Sequence, residues 1–196
     1  MARPRLDPDG PSTSERLLGA AEKAFARFGF VETRLEDIAR RVGITRPSLL
    51  YHFETKERLY SEVVRRAAVR LRVVMEEAID EGGTFEELLD RLFERYVHFL
   101  ETHPDLARVL LREVLEGRAS RTQLLSREIV PLLDWVSGVL EVRGEEIIPP
   151  DLPVRAAVLQ VCTAALVQAT SGSFREEVWG TSDHSGQLAR ILFLGP

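Results

Sequence analysis

The segment Leu35–Phe53, LEDIARRVGITRPSLLYHF, constrains the fold more than any other part of the chain. Its first half is predicted to be a short helix, because apolar residues recur there at helical spacing: Leu35, Ile38, Ala39 and Val42. Gly43 is expected to end this helix, since glycine adopts a positive φ without steric cost. Pro47 suits the first turn of a second helix, where its missing N–H is not needed. Two short helices joined by a turn with glycine indicate a helix-turn-helix.

The caps of the two helices are also predicted from local sequence. Thr33 is expected to cap the first helix, with Glu36 completing a capping box. Thr45 is expected to cap the second helix. In that second helix Leu49 and Phe53 are spaced to pack inward, which leaves a distinct set of side chains facing outward: Arg46, Pro47, Ser48, Tyr51 and His52.

The outward-facing residues suit contact with double-stranded DNA. Arginine binds guanine O6 and N7 with two hydrogen bonds, and small or apolar side chains such as Pro47 and Ser48 pack near thymine methyl groups. Tyr51, His52 and Lys56 suit phosphate oxygens, which fix the register without reading the sequence. A helix–glycine–helix pattern alone is a weak signal, so an ordinary helix pair with a polar surface is the alternative.

Residues 14–60 resemble the DNA-binding domain of the TetR/AcrR family of transcriptional regulators. The resemblance is carried by spaced identities: Ala24, Phe25, Phe28-Gly29-Phe30, Thr33, Asp37-Ile38-Ala39, Gly43 through Leu49, Tyr51-His52-Phe53, Thr55-Lys56 and Leu59. The chain departs from the family where Leu50 replaces a common tyrosine and where Arg34 replaces a threonine or serine. The resemblance implies that Thr33, Arg34 and Thr45 join the DNA-contacting set, with Arg34 as a charged phosphate contact.

The charge distribution agrees with a small DNA-binding domain on an acidic body. The whole chain has a net charge of −5, yet residues 1–60 carry +2 and the remainder −7. The single cysteine, Cys162, excludes an intramolecular disulfide and makes a reducing cytoplasm the expected location. The resemblance implies that this cytoplasm is bacterial. No signal peptide is visible, and the longest apolar stretch, 154–167, is too short to span a bilayer. No membrane association is expected.

The pattern predicts an all-α protein of about nine helices, divided into three parts. Residues 1–13 are predicted to be a disordered arm, in which Arg3 and Arg5 either stay in solvent, the favoured reading, or enter a flanking minor groove. Residues 14–58 are expected to form the helix-turn-helix domain. The resemblance implies that residues 59–196 form a helical effector-binding and dimerisation domain.

Several helix boundaries in this chain follow from capping and breaking residues. A first helix is predicted over Glu15–Phe28, with Phe28 on its buried stripe and Gly29 as its end. A long helix is predicted from Thr55 to the Gly82-Gly83 pair. Such a helix is a rigid lever that carries movement towards the DNA end. The remaining helices are predicted from further signals: capping boxes at Thr84/Glu87 and Ser120/Gln123, breaks at His103-Pro104 and Gly117, a kink or break at Pro131, and starts at Pro153 and Ser185.

The helix from Pro153 is apolar nearly all round, so one side of it must meet something other than its own body. Together with the last helix it suits half of a four-helix bundle with a second copy, although the central helix of a monomer is the alternative. The resemblance favours the homodimer, because family members pair through their last two long helices. The residues assigned to the interface are Val158, Cys162, Ala165, Leu188, Ile191 and Leu192.

Bulky aromatic residues and scattered polar groups on the middle helices suit a small-molecule cavity. The candidates for this pocket are Phe93, Tyr96, Phe99, Trp135 and Gln160. The resemblance implies an effector pocket in this part of the chain, whereas aromatic residues at helical spacing more often form ordinary core.

No catalytic residues, metal ligands or cofactor site are predicted, because the histidines are scattered and no nucleophile motif or phosphate-binding loop is present. Together with the resemblance, which implies repression and an effector, the sequence predicts a homodimeric repressor that binds a palindromic operator and is released by a small apolar or amphipathic effector. The alternative is a DNA-binding regulator without an effector, which answers to a protein partner or acts as an activator.

Overall fold

The computed structural model describes residues 11–116, 122–180 and 185–195. These residues form eleven α-helices and one short 3₁₀ turn at Gly172–Phe174, with no strand among them. The helices are α1 Thr13–Glu32, α2 Leu35–Val42, α3 Arg46–Phe53, α4 Lys56–Asp80, α5 Phe85–Thr102, α6 Pro104–Glu116, α7 Thr122–Glu128, α8 Val130–Arg143, α9 Val154–Thr170, α10 Arg175–Trp179 and α11 Ser185–Leu194. The predicted all-α class is confirmed.

The helix count exceeds the predicted nine for two reasons. The chain breaks at Ile129, just before Pro131, so that one predicted helix becomes α7 and α8. The short helix α10 follows the 3₁₀ turn and was not predicted. Residues 1–10, which hold Arg3 and Arg5, and the predicted signals at Gly117 and Ser120 lie outside the described residues.

Residue contacts divide the chain into two compact units between Val63 and Val64. The first unit contains α1, α2, α3 and the start of α4, and the second contains the rest of α4 and α5–α11. Among the described helices no single one is both long and apolar enough to cross a membrane; the pair Val154–Thr170 and Gly172–Trp179 meets that requirement only jointly, with a bend of 114° between its parts.

In the first unit, α1 runs past its predicted end and bends at Gly29, whose φ is 72°. The bend places Phe30 rather than Phe28 in the core, where Phe30 and Phe25 meet the ring of Tyr60 at centroid distances of 5.2 and 4.9 Å. Phe28 was predicted to be buried and is instead 47% exposed. The periodicity of a straight helix did not account for this change of direction.

Thr33 does not cap α2 as predicted. Its hydroxyl donates to the carbonyl oxygens of Gly29, at 2.6 Å, and Ala24, at 3.2 Å, and its side chain is buried. The N-cap of α2 is Arg34, which makes no side-chain capping bond. The physical reason is the bend at Gly29, which interrupts the helical hydrogen-bond ladder and leaves carbonyl groups that a neighbouring hydroxyl satisfies.

The turn between α2 and α3 follows the prediction. Gly43 adopts the left-handed conformation with φ 78° and ψ 29°, and its N–H bonds to the carbonyl oxygens at the end of α2. Thr45 caps α3, because its hydroxyl accepts from the backbone N–H of Ser48 at 3.3 Å. Pro47 lies in the first turn of α3.

The second unit is built around α9, which contacts α5, α6, α8 and α11. The predicted capping box of α5 is present, since Thr84 and Glu87 each bond to the other's backbone N–H. The side chain of Phe193 on α11 is fully buried, which attaches the last helix to this core. One side of α9 remains exposed.

Candidate nucleic-acid interface and ligand cavity

The outer face of α3 is exposed, as its sequence predicts. Leu49 is fully buried and anchors the helix to the first unit. The residues predicted to face outward are all exposed: Arg46, Pro47, Ser48, Tyr51 and His52. Tyr51 is 87% exposed, which is unusual for a large aromatic side chain. A short helix with an anchored inner side and this outer side is available to enter a groove of DNA.

Arg46 is paired with a carboxylate on the preceding helix. Its Nε lies 3.1 Å from Oε1 of Glu36, and both side chains are about half exposed, at 55% and 53%. Exposed ion pairs of this kind contribute at most about 1 kcal/mol. Glu36 therefore orients Arg46 without holding it strongly, and the guanidinium remains free to exchange the carboxylate for another partner.

The start of α1 braces the helix-turn-helix at two points. The guanidinium of Arg16 donates to the carbonyl oxygen of Val42, at the end of α2, over 2.7 Å. The hydroxyl of Ser14 lies 3.3 Å from Nδ1 of His52 on α3. These contacts connect the end of α2 and the last turn of α3 to the start of α1.

Two residues of the predicted DNA-contacting set have internal roles in the structure. Thr33 is buried, so its hydroxyl is not available to a phosphate, and it is removed from the proposed contacts. Lys56 is half-buried; its Nζ donates to the carbonyl oxygen of Val31 at 3.0 Å and lies 4.7 Å from the centroid of the Phe30 ring. Lys56 thus ties the start of α4 to the end of α1. Arg34 and Thr45 are exposed as required.

Glu36 is the residue of this region whose role sequence reasoning did not find. It was assigned to a capping box with Thr33, but it pairs with Arg46 across the turn. No helical spacing rule relates positions on two different helices, so only the angle between α2 and α3 brings these side chains together.

The second unit contains a cavity of about 170 Å³. Its described lining comes from α4, α5, α6, α8, α9 and α11 together with Ile129 and is mainly aliphatic. Two of the predicted pocket residues, Phe93 and Tyr96, line this cavity. The predicted position of a pocket on the middle helices therefore coincides with an actual cavity, although its lining differs from the prediction.

Three predicted pocket residues lie elsewhere. Phe99 is buried in the core and stacks on His103 with ring centroids 4.6 Å apart. Trp135 lies outside the lining, with the guanidinium of Arg72 5.0 Å from its ring centroid. Gln160 is exposed on the outer side of α9. All three were predicted to line the pocket because of their residue type. The orientation of each helix instead places them outside the cavity lining.

The polar groups in the cavity are neutral and largely satisfied. The Tyr96 hydroxyl donates to the backbone carbonyl oxygen of Cys162 at 3.1 Å. Burial, and secondarily the nearby Cys162 sulfur, raises the pKa of Tyr96 well above its usual value. Burial raises the pKa of the Cys162 thiol to about 12. Both side chains are therefore uncharged at neutral pH.

The predicted dimer interface is corrected on α9. Val158 and Ala165 are buried within the subunit, and Cys162 lines the cavity. The exposed side of α9 is formed by other residues: Ala156, Leu159, Gln160, Thr163 and Ala164. On α11 the predicted residues Leu188, Ile191 and Leu192 are exposed, at 53%, 49% and 37%. Because α9 is apolar all round, its periodicity did not identify the side that faces the core.

Within the described ranges, no group of three or more histidine, cysteine, aspartate or glutamate side chains is arranged to hold a metal ion.

Comparisons with known proteins agree with this geometry. Residues 17–63 match the family model for bacterial regulatory proteins of the tetR family. The chain is similar to the HTH-type transcriptional regulator RutR of Escherichia coli strain K12, with 28% identity over 124 residues, which cover 63% of this chain and 58% of RutR. It is also similar to the HTH-type transcriptional repressor KstR2 of Mycolicibacterium smegmatis, with 33% identity over 101 residues, which cover 50% of this chain and 39% of KstR2. The matches thus span less than two thirds of either relative.

The fold extends the similarity over nearly the whole chain. The structure of the transcriptional regulator FadR from Bacillus subtilis, in complex with stearoyl-CoA, superposes with a TM-score of 0.77 at 20% identity. The superposition covers 93% of this chain and 98% of that one. At this level of identity the comparison establishes a shared fold.

Proposed function

We propose that the chain belongs to the TetR family of bacterial regulatory proteins, whose family model matches residues 17–63, and that it is a sequence-specific DNA-binding transcriptional regulator. The observation that carries the proposal is the exposed face of α3, on which Arg46, Pro47, Ser48, Tyr51 and His52 all project from a helix anchored by buried Leu49. Arg46 is the proposed base contact, and Tyr51 and His52 on α3 and Arg34 at the start of α2 are the proposed phosphate contacts. The named relatives are regulators, which supports a role without catalysis.

The proposed active form is a homodimer that binds a palindromic operator. A single recognition helix reads only a few base pairs, whereas a two-fold dimer reads two half-sites separated by one helical turn of DNA, about 34–36 Å, or a multiple of it. The proposed interface combines the exposed side of α9 with Leu188, Ile191 and Leu192 of α11. Arg155 and Arg190, which flank this surface, are paired within the subunit with Asp134 and Asp90 at 2.6 Å each. Their charges therefore do not oppose pairing of like surfaces.

The cavity of the second unit is the proposed effector site. The related fold of FadR holds stearoyl-CoA, which supports a ligand role for a cavity in this fold. Helix α4 has residues in both units, so this one continuous helix connects the cavity lining at Leu71 and Met75 to the first unit. An effector releases DNA only when it binds the DNA-free state more tightly than the DNA-bound state. Repression with release by the effector is the proposed mode of action.

The test is retention of genomic DNA fragments by the purified protein, followed by sequencing. Enrichment of fragments that share an inverted repeat is the expected result. A matched sample with the Tyr51→Ala variant tests whether this face binds the DNA, because the change removes an exposed proposed phosphate contact and leaves the core unchanged; it is expected to retain fewer fragments. Recovery of fragments no different from random genomic DNA would contradict the proposed function.

A further inference from the structure

We propose that the cavity of the second unit accepts an uncharged hydrocarbon group, about the size of a benzene ring with one or two small alkyl substituents, and excludes charged groups. The proposal defines the chemical class of the effector and rests on the proposed function for its regulatory meaning. The size follows from the cavity volume of about 170 Å³. An engineered apolar cavity of about 150 Å³ in another protein stays dry and binds benzene.

The chemistry follows from the lining. None of the described residues around the cavity carries a charged side chain, and most are leucine, valine, isoleucine, methionine or phenylalanine. A carboxylate or an ammonium group inside would lose its hydration and gain no opposite charge. Such a transfer costs several kcal/mol even after relaxation. An apolar ligand has no comparable hydration to lose, and its binding removes apolar surface of both the ligand and the cavity from water.

The polar side chains of the lining do not change this conclusion. The Tyr96 hydroxyl already donates its proton to the carbonyl oxygen of Cys162, so it offers a ligand only an acceptor. The Cys162 thiol stays neutral and behaves as a small apolar group. Thr163 is exposed and lies at the solvent-facing part of the lining, together with Leu159 and Val114.

The test compares three rigid probes of one shape by methyl NMR on protein labelled at leucine and valine. The neutral probe is p-cymene, and the charged probes are 4-isopropylbenzoate and 4-isopropylbenzylammonium. We expect p-cymene to shift the methyl signals of Leu92, Val158 and Leu166 and to bind at least tenfold more tightly than either ion. The methyl signals of Leu188 and Val142, which lie outside the lining, are expected to stay unchanged. Equal binding of an ion, or shifts by p-cymene only outside the lining, would overturn the proposal.

Two variants on α8 locate the site. Val136 lines the cavity, whereas Val142 on the same helix is 76% exposed and lies outside the lining. Val136→Phe is expected to fill the cavity and weaken p-cymene binding at least tenfold, and Val142→Phe is expected to leave it unchanged. If Val136→Phe does not fold, Leu166→Ala is used instead. It enlarges the cavity and is expected to favour 1,4-diisopropylbenzene over p-cymene, and an unchanged preference would count against the proposal.

Failure of this ligand proposal can be distinguished from failure of the proposed function. Binding of p-cymene in the cavity without any effect on DNA would keep this proposal and remove effector release from the proposed function. Exclusion of p-cymene by a protein that still selects an inverted repeat would remove this proposal and leave DNA recognition intact.

Discussion

At the scale of single residues, the pair Glu36 and Arg46 sets the resting state of the proposed reading surface. The two side chains are half exposed and 3.1 Å apart, and they belong to different helices of the helix-turn-helix. A carboxylate at this position competes with DNA for the guanidinium and also repels phosphate groups. Arg46 is therefore expected to exchange one partner for another when DNA binds.

The first prediction concerns Glu36→Gln, which removes the carboxylate charge. DNA affinity is expected to rise by roughly two- to fivefold, in line with the small value of exposed ion pairs. The measurement is fluorescence anisotropy with a labelled operator at fixed salt. Asp37→Asn is the matched control, because Asp37 pairs with Arg40 on the same helix and not with Arg46. A loss of affinity in Glu36→Gln, or the same gain in both variants, would argue against this competition.

The second prediction concerns Cys162, the single cysteine of the chain. Burial raises the pKa of its thiol to about 12, so the reactive thiolate is scarce at pH 8. Its alkylation by iodoacetamide is expected to be slower than that of an unfolded cysteine by roughly three orders of magnitude, and to rise about tenfold per pH unit between pH 7 and 10. Mass spectrometry measures the rate, with the urea-unfolded chain as reference. A rate that levels off near pH 9 would show an ordinary thiol.

At the scale of secondary-structure elements, local signals correctly predicted helix ends whose capping contacts involve residues close together in sequence. The αL glycine at Gly43, the cap at Thr45 and the capping box of Thr84 and Glu87 are all present. Thr33 and Phe28 were misplaced, because the bend at Gly29 alters what both side chains meet. One backbone angle, which the sequence does not specify, decided both positions.

The candidate sites likewise differ in how much of them could be predicted from local sequence. The exposed face of α3 was predictable because the buried position of Leu49 determines which residues of a short helix face outward. The position of the cavity on the middle helices was predicted, but most of its lining was not, because the lining comes from six helices and Ile129 and no spacing in sequence shows which faces converge. Likewise α9 is apolar on every side, so its exposed side became clear only from the packing of α5, α6, α8 and α11 around it.

The third prediction concerns the cap of α3. Thr45→Ala removes the hydroxyl that accepts from the backbone N–H of Ser48, and this is expected to lower the free energy of unfolding by about 1 kcal/mol. Thr45→Ser keeps an equivalent hydroxyl and is expected to retain most of the stability. Urea denaturation followed by circular dichroism provides the values. Equal stability of wild type and Thr45→Ala would show that the cap contributes nothing.

At the scale of the whole molecule, the proposed binding to a palindromic operator requires two copies of the chain. The exposed apolar residues of α11, with the exposed side of α9, form the proposed contact between them. Since each copy presents one α3, separating the copies removes the simultaneous reading of two half-sites. Loss of the dimer is therefore expected to weaken operator binding even though each reading surface stays intact.

The fourth prediction tests that requirement with Ile191→Arg. A charge at this exposed position is expected to shift the protein from dimer to monomer and to weaken operator binding at least tenfold. Val142→Arg carries the same charge change at a position that is 76% exposed on α8, outside the proposed interface, and is expected to remain dimeric. Sedimentation equilibrium gives the mass of each variant. A wild-type protein that is monomeric at all concentrations would remove the dimer from the account.

Arg46 is proposed to read a base within each half of an inverted repeat, and selection of binding sites with and without this side chain tests that role. Binding sites are selected from a randomised DNA library by the wild-type protein and by Arg46→Ala, and the two sets are sequenced. Arg108→Ala is the control, since Arg108 is also paired with a nearby carboxylate but lies in the second unit. Arg46→Ala is expected to bind the operator more weakly by about 1–3 kcal/mol. Its selected sites are expected to lose the base preference at one position in each half-site and to retain the rest of the repeat. An unchanged preference at every position would contradict the assignment of Arg46, and the absence of any inverted repeat from the wild-type set would contradict the account as a whole.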